Sequence, residues 1–189
     1  MVLSASAFAG LRCRSGEQCH VPDVDKEQPS HQGPYDIREE PVQSADQLEH
    51  AYVRRLYDWW IAANEGAPPR RSQLDIAEHT MLASNTFLVE RCDAQSFRFK
   101  LHGEAAMDIT GMRDAQTEVS EQTESHFNTA LFRYYCDVVK NAIPVRCTGS
   151  LAFADQPHRR FESIDCPLTD EAGNMAYIIG VIVVRPQRR

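Results

Sequence analysis

The six cysteines and seven histidines are the side chains of this sequence with the widest chemical range. Their spacing limits what they can do. Zinc and iron–sulfur sites need ligand pairs a few residues apart, so that one turn presents both to the ion. Cys19-His20 has no second pair at such a spacing, and Cys92, Cys136, Cys147 and Cys166 stand singly inside apolar segments. Lone thiols of this kind behave as small hydrophobes in a reducing compartment. The expectation is a cytoplasmic protein without a metal site. Nucleophilic chemistry fares no better. Gly149-Ser150 lacks the second glycine of a nucleophile elbow and sits in a strand-like pattern, and His158, Arg159, Arg160 and Glu162 read as a solvated strand edge. There is no GxGxxG, no P-loop lysine and no H-E-x-x-H. The expectation is a protein that is not an enzyme and carries no cofactor.

Charge and hydropathy exclude two further classes. Against 27 acidic residues stand 20 basic ones, a formal charge of −7, which argues against a protein that grips nucleic acid through clustered Lys and Arg. Mean hydropathy is −0.45, and the longest apolar run, 176–184, is too short to span a bilayer and too β-branched for anything but a buried strand. Neither a nucleic acid nor a membrane is expected as a partner. Hydrophobic residues make up 42% of the 189, enough for one domain with a substantial core.

The elements that position these residues follow from periodicity. Residues 1–43 are rich in Gly, Pro and polar side chains without apolar periodicity, and read as a disordered or poorly ordered tail. Its first ten residues lack the basic start and continuous apolar run of a secretory signal. From Ser44 or Asp46, Leu48, Tyr52, Leu56, Trp59, Trp60 and Ala63 recur at helical steps until Gly66-Ala67-Pro68-Pro69. Residues 86–90 read as a strand. Phe97, Phe99 and Leu101 alternate with Arg98, Lys100 and His102 as a half-buried second strand. A surface helix and loop are expected over 114–125, and then a long helix on Phe127, Leu131, Tyr134, Val138 and Ala142, closed by Pro144. Three strands follow, over 145–153, 159–168 and 177–184, the last apolar on both faces and therefore covered twice. Two strands, a helical middle and three strands predict an α+β domain over 44–185 with one antiparallel sheet, followed by a short tail at 186–189.

This order of elements resembles the PAS sensor fold, and within it a bacterial, alphaproteobacterial-type branch of stand-alone PAS-like proteins. The resemblance rests on Leu56-Tyr57-Asp58-Trp59-Trp60, on Pro69-Arg70-Arg71 with Leu74-Asp75-Ile76, and on Phe87-Leu88-Val89-Glu90. It rests equally on residues 97–103, on Asp108-Ile109-Thr110-Gly111, and on Arg160-Phe161-Glu162 running to Pro167-Leu168. It covers about residues 48–184. It implies a five-stranded antiparallel sheet with the helical middle on one face and the N-terminal helix outside it. Only residues 104–110 separate Gly103 from Gly111, where the family pattern has a longer helix that walls the ligand cavity. The shortening argues against a large internal pocket.

The resemblance also defines what the chain is expected to sense and how. A haem sensor would need a cavity-facing histidine, and His102 and His126 both read as surface residues. A flavin photosensor would need an Asn-Cys-Arg-Phe-type motif, which is absent. Phe99, Leu101, Met107, Leu131, Tyr135, Cys147, Leu151 and Ile178 are the positions expected on the concave face, where they either fill a core or bind an apolar or amphipathic ligand. No output module is seen on either side of the domain. The expectation is therefore a non-catalytic signalling sensor or adaptor acting through protein contacts or homodimer rearrangement, with a small-molecule receptor as the alternative. Tyr52, Leu56, Trp59 and Trp60 are expected to form the interface, as a homodimer or with a signalling partner, because aromatic anchors dominate such surfaces.

Overall fold

The structure, a computed structural model, describes residues 35–112, 118–123 and 125–186. Seven strands form one antiparallel sheet: β1 (Ile37–Pro41), β2 (Thr86–Arg91), β3 (Ser96–His102), β4 (Glu118–Ser120), β5 (Val145–Leu151), β6 (Gln156–Thr169) and β7 (Met175–Arg185). Their spatial order is β1-β5-β6-β7-β2-β3-β4. The long, β-branched β6 and β7 occupy the centre. On β7, Ile178 and Ile182 pack into one core, while Ile179, Val181 and Val183 pack into another on the opposite face. Two buried faces explain why this strand is apolar throughout.

Helices supply the two covers. α2 (Glu104–Thr110) and α3 (His126–Asn141) lie with the first core, and α1 (Ala51–Ala63) with the second. α3 starts where the Ser125 hydroxyl accepts from the Asn128 amide, and it ends at Ala142, held at φ 57° just before Pro144. α1 begins later than its periodicity suggests. Ser44 and Gln47 instead form a capping box around a single 3-10 turn, and His50 caps the helix proper. The buried Glu162 carboxylate on β6 then ties α1 down. It accepts from the backbone amides of Glu49 at 3.0 Å and His50 at 2.8 Å, and from Arg146 Nε at 2.7 Å. An anion at a helix N-terminus is favourable, and here every partner is supplied by the chain.

Seven strands replace the five expected, for two reasons. Ile37–Pro41 falls within the segment read as a poorly ordered tail, yet it pairs with β5 from Ile37↔Gly149 to Pro41↔Val145. Its own sequence has little apolar signal. Its strand state comes from the ladder, and from Gly149, where any Cβ would collide with the Asp36 carbonyl. Residues 1–34 lie outside the described residues. The second addition, β4, is a three-residue strand on β3 inside the stretch expected to be helix and loop.

A β-bulge corrects the reading of β3. Pairing with β2 runs Phe87↔His102 and Leu88↔Leu101, then jumps to Val89↔Phe99, so Lys100 is the extra residue. The bulge reverses the alternation beyond it. Leu101, expected inward, is 37% exposed, whereas His102, expected at the surface, is buried.

Candidate functional site: an apolar cavity with a buried carboxyl

Between α3 and the inner face of the sheet lies a cavity of about 110 Å³. Each contributing element has a local reason to face it. α3 presents Leu131, Tyr134 and Tyr135, which fall on neighbouring faces one turn apart. β6 presents Phe161, Ser163 and Asp165 at alternate positions, and β5 adds Cys147 directly opposite Ser163. From β2 and β3 come Phe87 and Phe99. Phe87, Gly180 and Asp165 are partners in register across β2, β7 and β6. A Cβ at Gly180 would overlap the Phe87 ring, so the missing side chain is what lets this ring lie across β7 beside the carboxyl.

On its solvent side the cavity is bounded by Tyr35, Phe127 and Phe153, all half-buried, and by the exposed Glu39. The three rings come from distant segments and pack on one another. Phe127 and Phe153 stack at 4.5 Å, and Tyr35 meets both edge-on at 5.7 and 6.3 Å. Behind the opposite wall, His102 stacks on Phe99 at 4.6 Å. One of its ring nitrogens lies 3.4 Å from the Thr110 hydroxyl, and the other, Nδ1, is buried with no partner. Burial holds this imidazole below its ordinary pKa.

Asp165 is the polar centre. Tyr134 donates its hydroxyl proton to Asp165 Oδ2 at 2.8 Å, and Ser163 donates to the same oxygen at 3.4 Å. Oδ1 has no hydrogen-bond partner, although the residue is 2% exposed. Burial pushes the carboxyl pKa up to about 7, against the pull of the Tyr134 and Ser163 hydrogen bonds and with a further push from Glu39. The same burial, together with the Asp165 charge, drives the Tyr134 phenol and the Cys147 thiol well above their usual ranges. Held protonated in this way, the Cys147 thiol is a poor nucleophile at neutral pH. Among the described residues no three of His, Cys, Asp and Glu gather into a group that could hold a metal.

Of the eight positions expected on the concave face, Phe99, Leu131, Tyr135 and Cys147 line the cavity. Leu151 and Ile178 are buried in the same core but do not reach it, Met107 on α2 is half-buried outside it, and the bulge turns Leu101 away. The short α2 explains Met107: only Thr110 at its end and Met112 beyond it reach the lining.

The expected interface set needs a larger correction. Leu56 and Trp60 are buried against β6 and β7 within the chain, and the Trp60 indole donates to the Pro167 carbonyl at 2.8 Å. That carbonyl lies beyond the end of the β5 pairing, where a ladder partner is missing. Tyr52 and Trp59 are half-buried on the same core, with Trp59 edge-on to His79. The stripe is a cover for the sheet, and Leu56 and Trp60 have no surface to offer a partner.

A family model described as a PAS domain matches residues 48–183. The chain belongs to the PAS family. Its curled antiparallel sheet flanked by helices agrees with that membership and with the expected α+β class, apart from the two extra strands. Among solved structures, that of an RNA-binding light-oxygen-voltage receptor is similar over 80% of this chain, at 15% identity and a TM-score of 0.43. The PAS chain covers 39% of that receptor's length. No curated protein matches. No helix among the described residues is long and apolar enough to cross a membrane.

Proposed function

We propose that this PAS domain is a non-catalytic sensor that takes a small molecule into the cavity between α3 and the sheet and passes its occupancy on by contact with a protein, either a second copy or a signalling partner. Of the two readings open from the sequence, the receptor is the better supported. The observation that carries it is Asp165 Oδ1. Burying a carboxyl without a full set of partners is costly, and a core that only packs gains nothing from it. A cavity lined by apolar and aromatic side chains with one convergent polar group is how small-molecule sites are built. Among the described residues four cysteines are free, two of them buried, which suits a reducing cytoplasm.

Native mass spectrometry of the purified protein, followed by denaturing extraction, tests this reading. A stoichiometric small-molecule adduct, lost when Leu131→Trp fills the cavity, is the expected result. Protein that carries no adduct and binds no single-ring fragment in solution overturns it.

A further inference from the structure

Among the described residues, the side chains lining the cavity carry charge of one sign only. Asp165 lies at its floor and Glu39 on its solvent side, and among the described residues no Lys, Arg or His is in the lining. Tyr134 and Ser163 both donate to Oδ2, which leaves Oδ1 as an acceptor with no donor from the protein. With the carboxyl ionised, a ligand acceptor would face a second acceptor there, and an anion would set like charge beside a buried carboxylate where water screens it poorly. A donor that carries positive charge satisfies the orphan oxygen and offsets the buried charge in one contact. The volume sets the body of the ligand. An apolar cavity of about 150 Å³ admits benzene; at about 110 Å³ this one is smaller and takes at most one ring, close-packed among Phe87, Phe99 and Leu131, with any extension directed past the Tyr35, Phe127 and Phe153 rings.

We infer that the ligand is an organic cation, a single apolar ring bearing a protonated amine, whose ammonium donates to Asp165 Oδ1. The inference rests on the receptor reading above and specifies its ligand class. The amine keeps its proton and no bond is made or broken: recognition is by charge and one hydrogen bond. Tyr134 holds the carboxyl in the orientation that presents Oδ1.

The test uses the full chain and four probes of nearly one size, benzylamine, benzyl alcohol, toluene and benzoate, with affinities from calorimetry or chemical-shift titration. At about pH 8, where Asp165 is ionised, benzylamine is expected to bind at least tenfold more tightly than toluene or benzyl alcohol, and benzoate more weakly than either. The titratable groups that face Asp165 are Glu39 from β1, Tyr134 and Tyr135 from α3 and Cys147 from β5, with Cys166 beside it on β6. None of them is a cation, so the benzylamine preference is expected to vanish as pH falls to about 5.5 and the carboxyl takes up its own proton. Asp165→Asn is expected to reduce benzylamine to the affinity of toluene. Should that variant fold poorly, Tyr134→Phe serves instead: without its hydrogen bond the carboxyl titrates higher, and the pH at which the preference appears moves up. Toluene binding with no preference for the amine, or a preference that survives at low pH, overturns the ligand class and leaves the receptor reading intact. Failure of all four probes overturns both.

Discussion

Replacing Asp165 with Asn isolates the energetic consequence of burying this carboxyl. In the folded protein its pKa is pushed up to about 7 from 3.8. Between those limits the folded chain holds a proton on Asp165 that the unfolded chain has released, so unfolding expels a proton and stability falls as pH rises. The contribution is complete below about pH 4 and lost once pH passes about 7. A shift of roughly three units, at about 1.4 kcal/mol each, corresponds to about 4 kcal/mol across that window. The amide of the Asp165→Asn variant cannot titrate, and the carboxylates elsewhere are shared by both proteins. The assay is urea unfolding of both proteins at intervals from about pH 4 to pH 8.5, read as the difference in unfolding free energy. Any fixed cost of the amide shifts this difference by a constant and leaves its slope untouched. The expected curve shows the variant gaining several kcal/mol on the native protein as pH rises, then levelling above about pH 8. Parallel curves, or a difference running the other way, would refute the claim that Asp165 is desolvated.

Three further sites test how the helices and strands are held together. Gly180→Ala sets a methyl group into the Phe87 ring and is expected to cost about 1–3 kcal/mol in chemical denaturation, as overpacking does, with Phe87→Leu in the same chain restoring most of it. Glu162→Ala leaves two backbone amides at the start of α1 without their acceptor and takes one of three carboxylate partners from Arg146, which keeps Glu40 and Glu49, with an expected loss of about 1–3 kcal/mol; removing the exposed Arg98–Glu118 pair by Arg98→Ala should cost less than about 1 kcal/mol, and equal losses would show that Glu162 is no anchor. Ala142→Gly relieves a left-handed residue at the end of α3 and is expected to raise the unfolding free energy by roughly 0.5–1 kcal/mol, whereas a loss would mean that the alanine methyl packs usefully.

The elements that announce themselves in the sequence are those whose pattern comes from burial alone. α3 is legible because Phe127, Leu131, Tyr134 and Val138 share one face and Pro144 ends it, and β7 because both of its faces are covered. The parts that escape are fixed by neighbours. Ile37–Pro41 becomes a strand only because β5 offers it a ladder, and the bulge at Lys100 exists only in the pairing with β2, so the sides taken by Leu101 and His102 were beyond periodicity. Trp60 illustrates the same limit. Its spacing marks it as an anchor, but only the position of the Pro167 carbonyl shows that its partner lies within the chain.

The site was half legible for a related reason. Apolar residues at inward positions of α3, β3 and β5 could be named, and Phe99, Leu131, Tyr135 and Cys147 do line the cavity. Asp165 escaped because β6 reads as a mixed strand, in which a carboxylate is usually turned to solvent. One signal was present. Asp165 lies between Ile164 and Cys166 and two positions from Ser163 and Pro167, so in a strand covered on both faces it has no exposed side to take. Its hydroxyl donor Tyr134 stood on the inward stripe of α3 from the start.

An amide-resolved NMR titration with benzylamine at about pH 8 shows whether this PAS domain receives a small molecule at the α3 side of the sheet. Saturable shifts are expected at Phe99, Leu131, Tyr134, Cys147 and Asp165, with α1 and its Trp60 contact at the opposite face unmoved. Shifts gathered on α1, or none at any concentration, would contradict binding in the cavity.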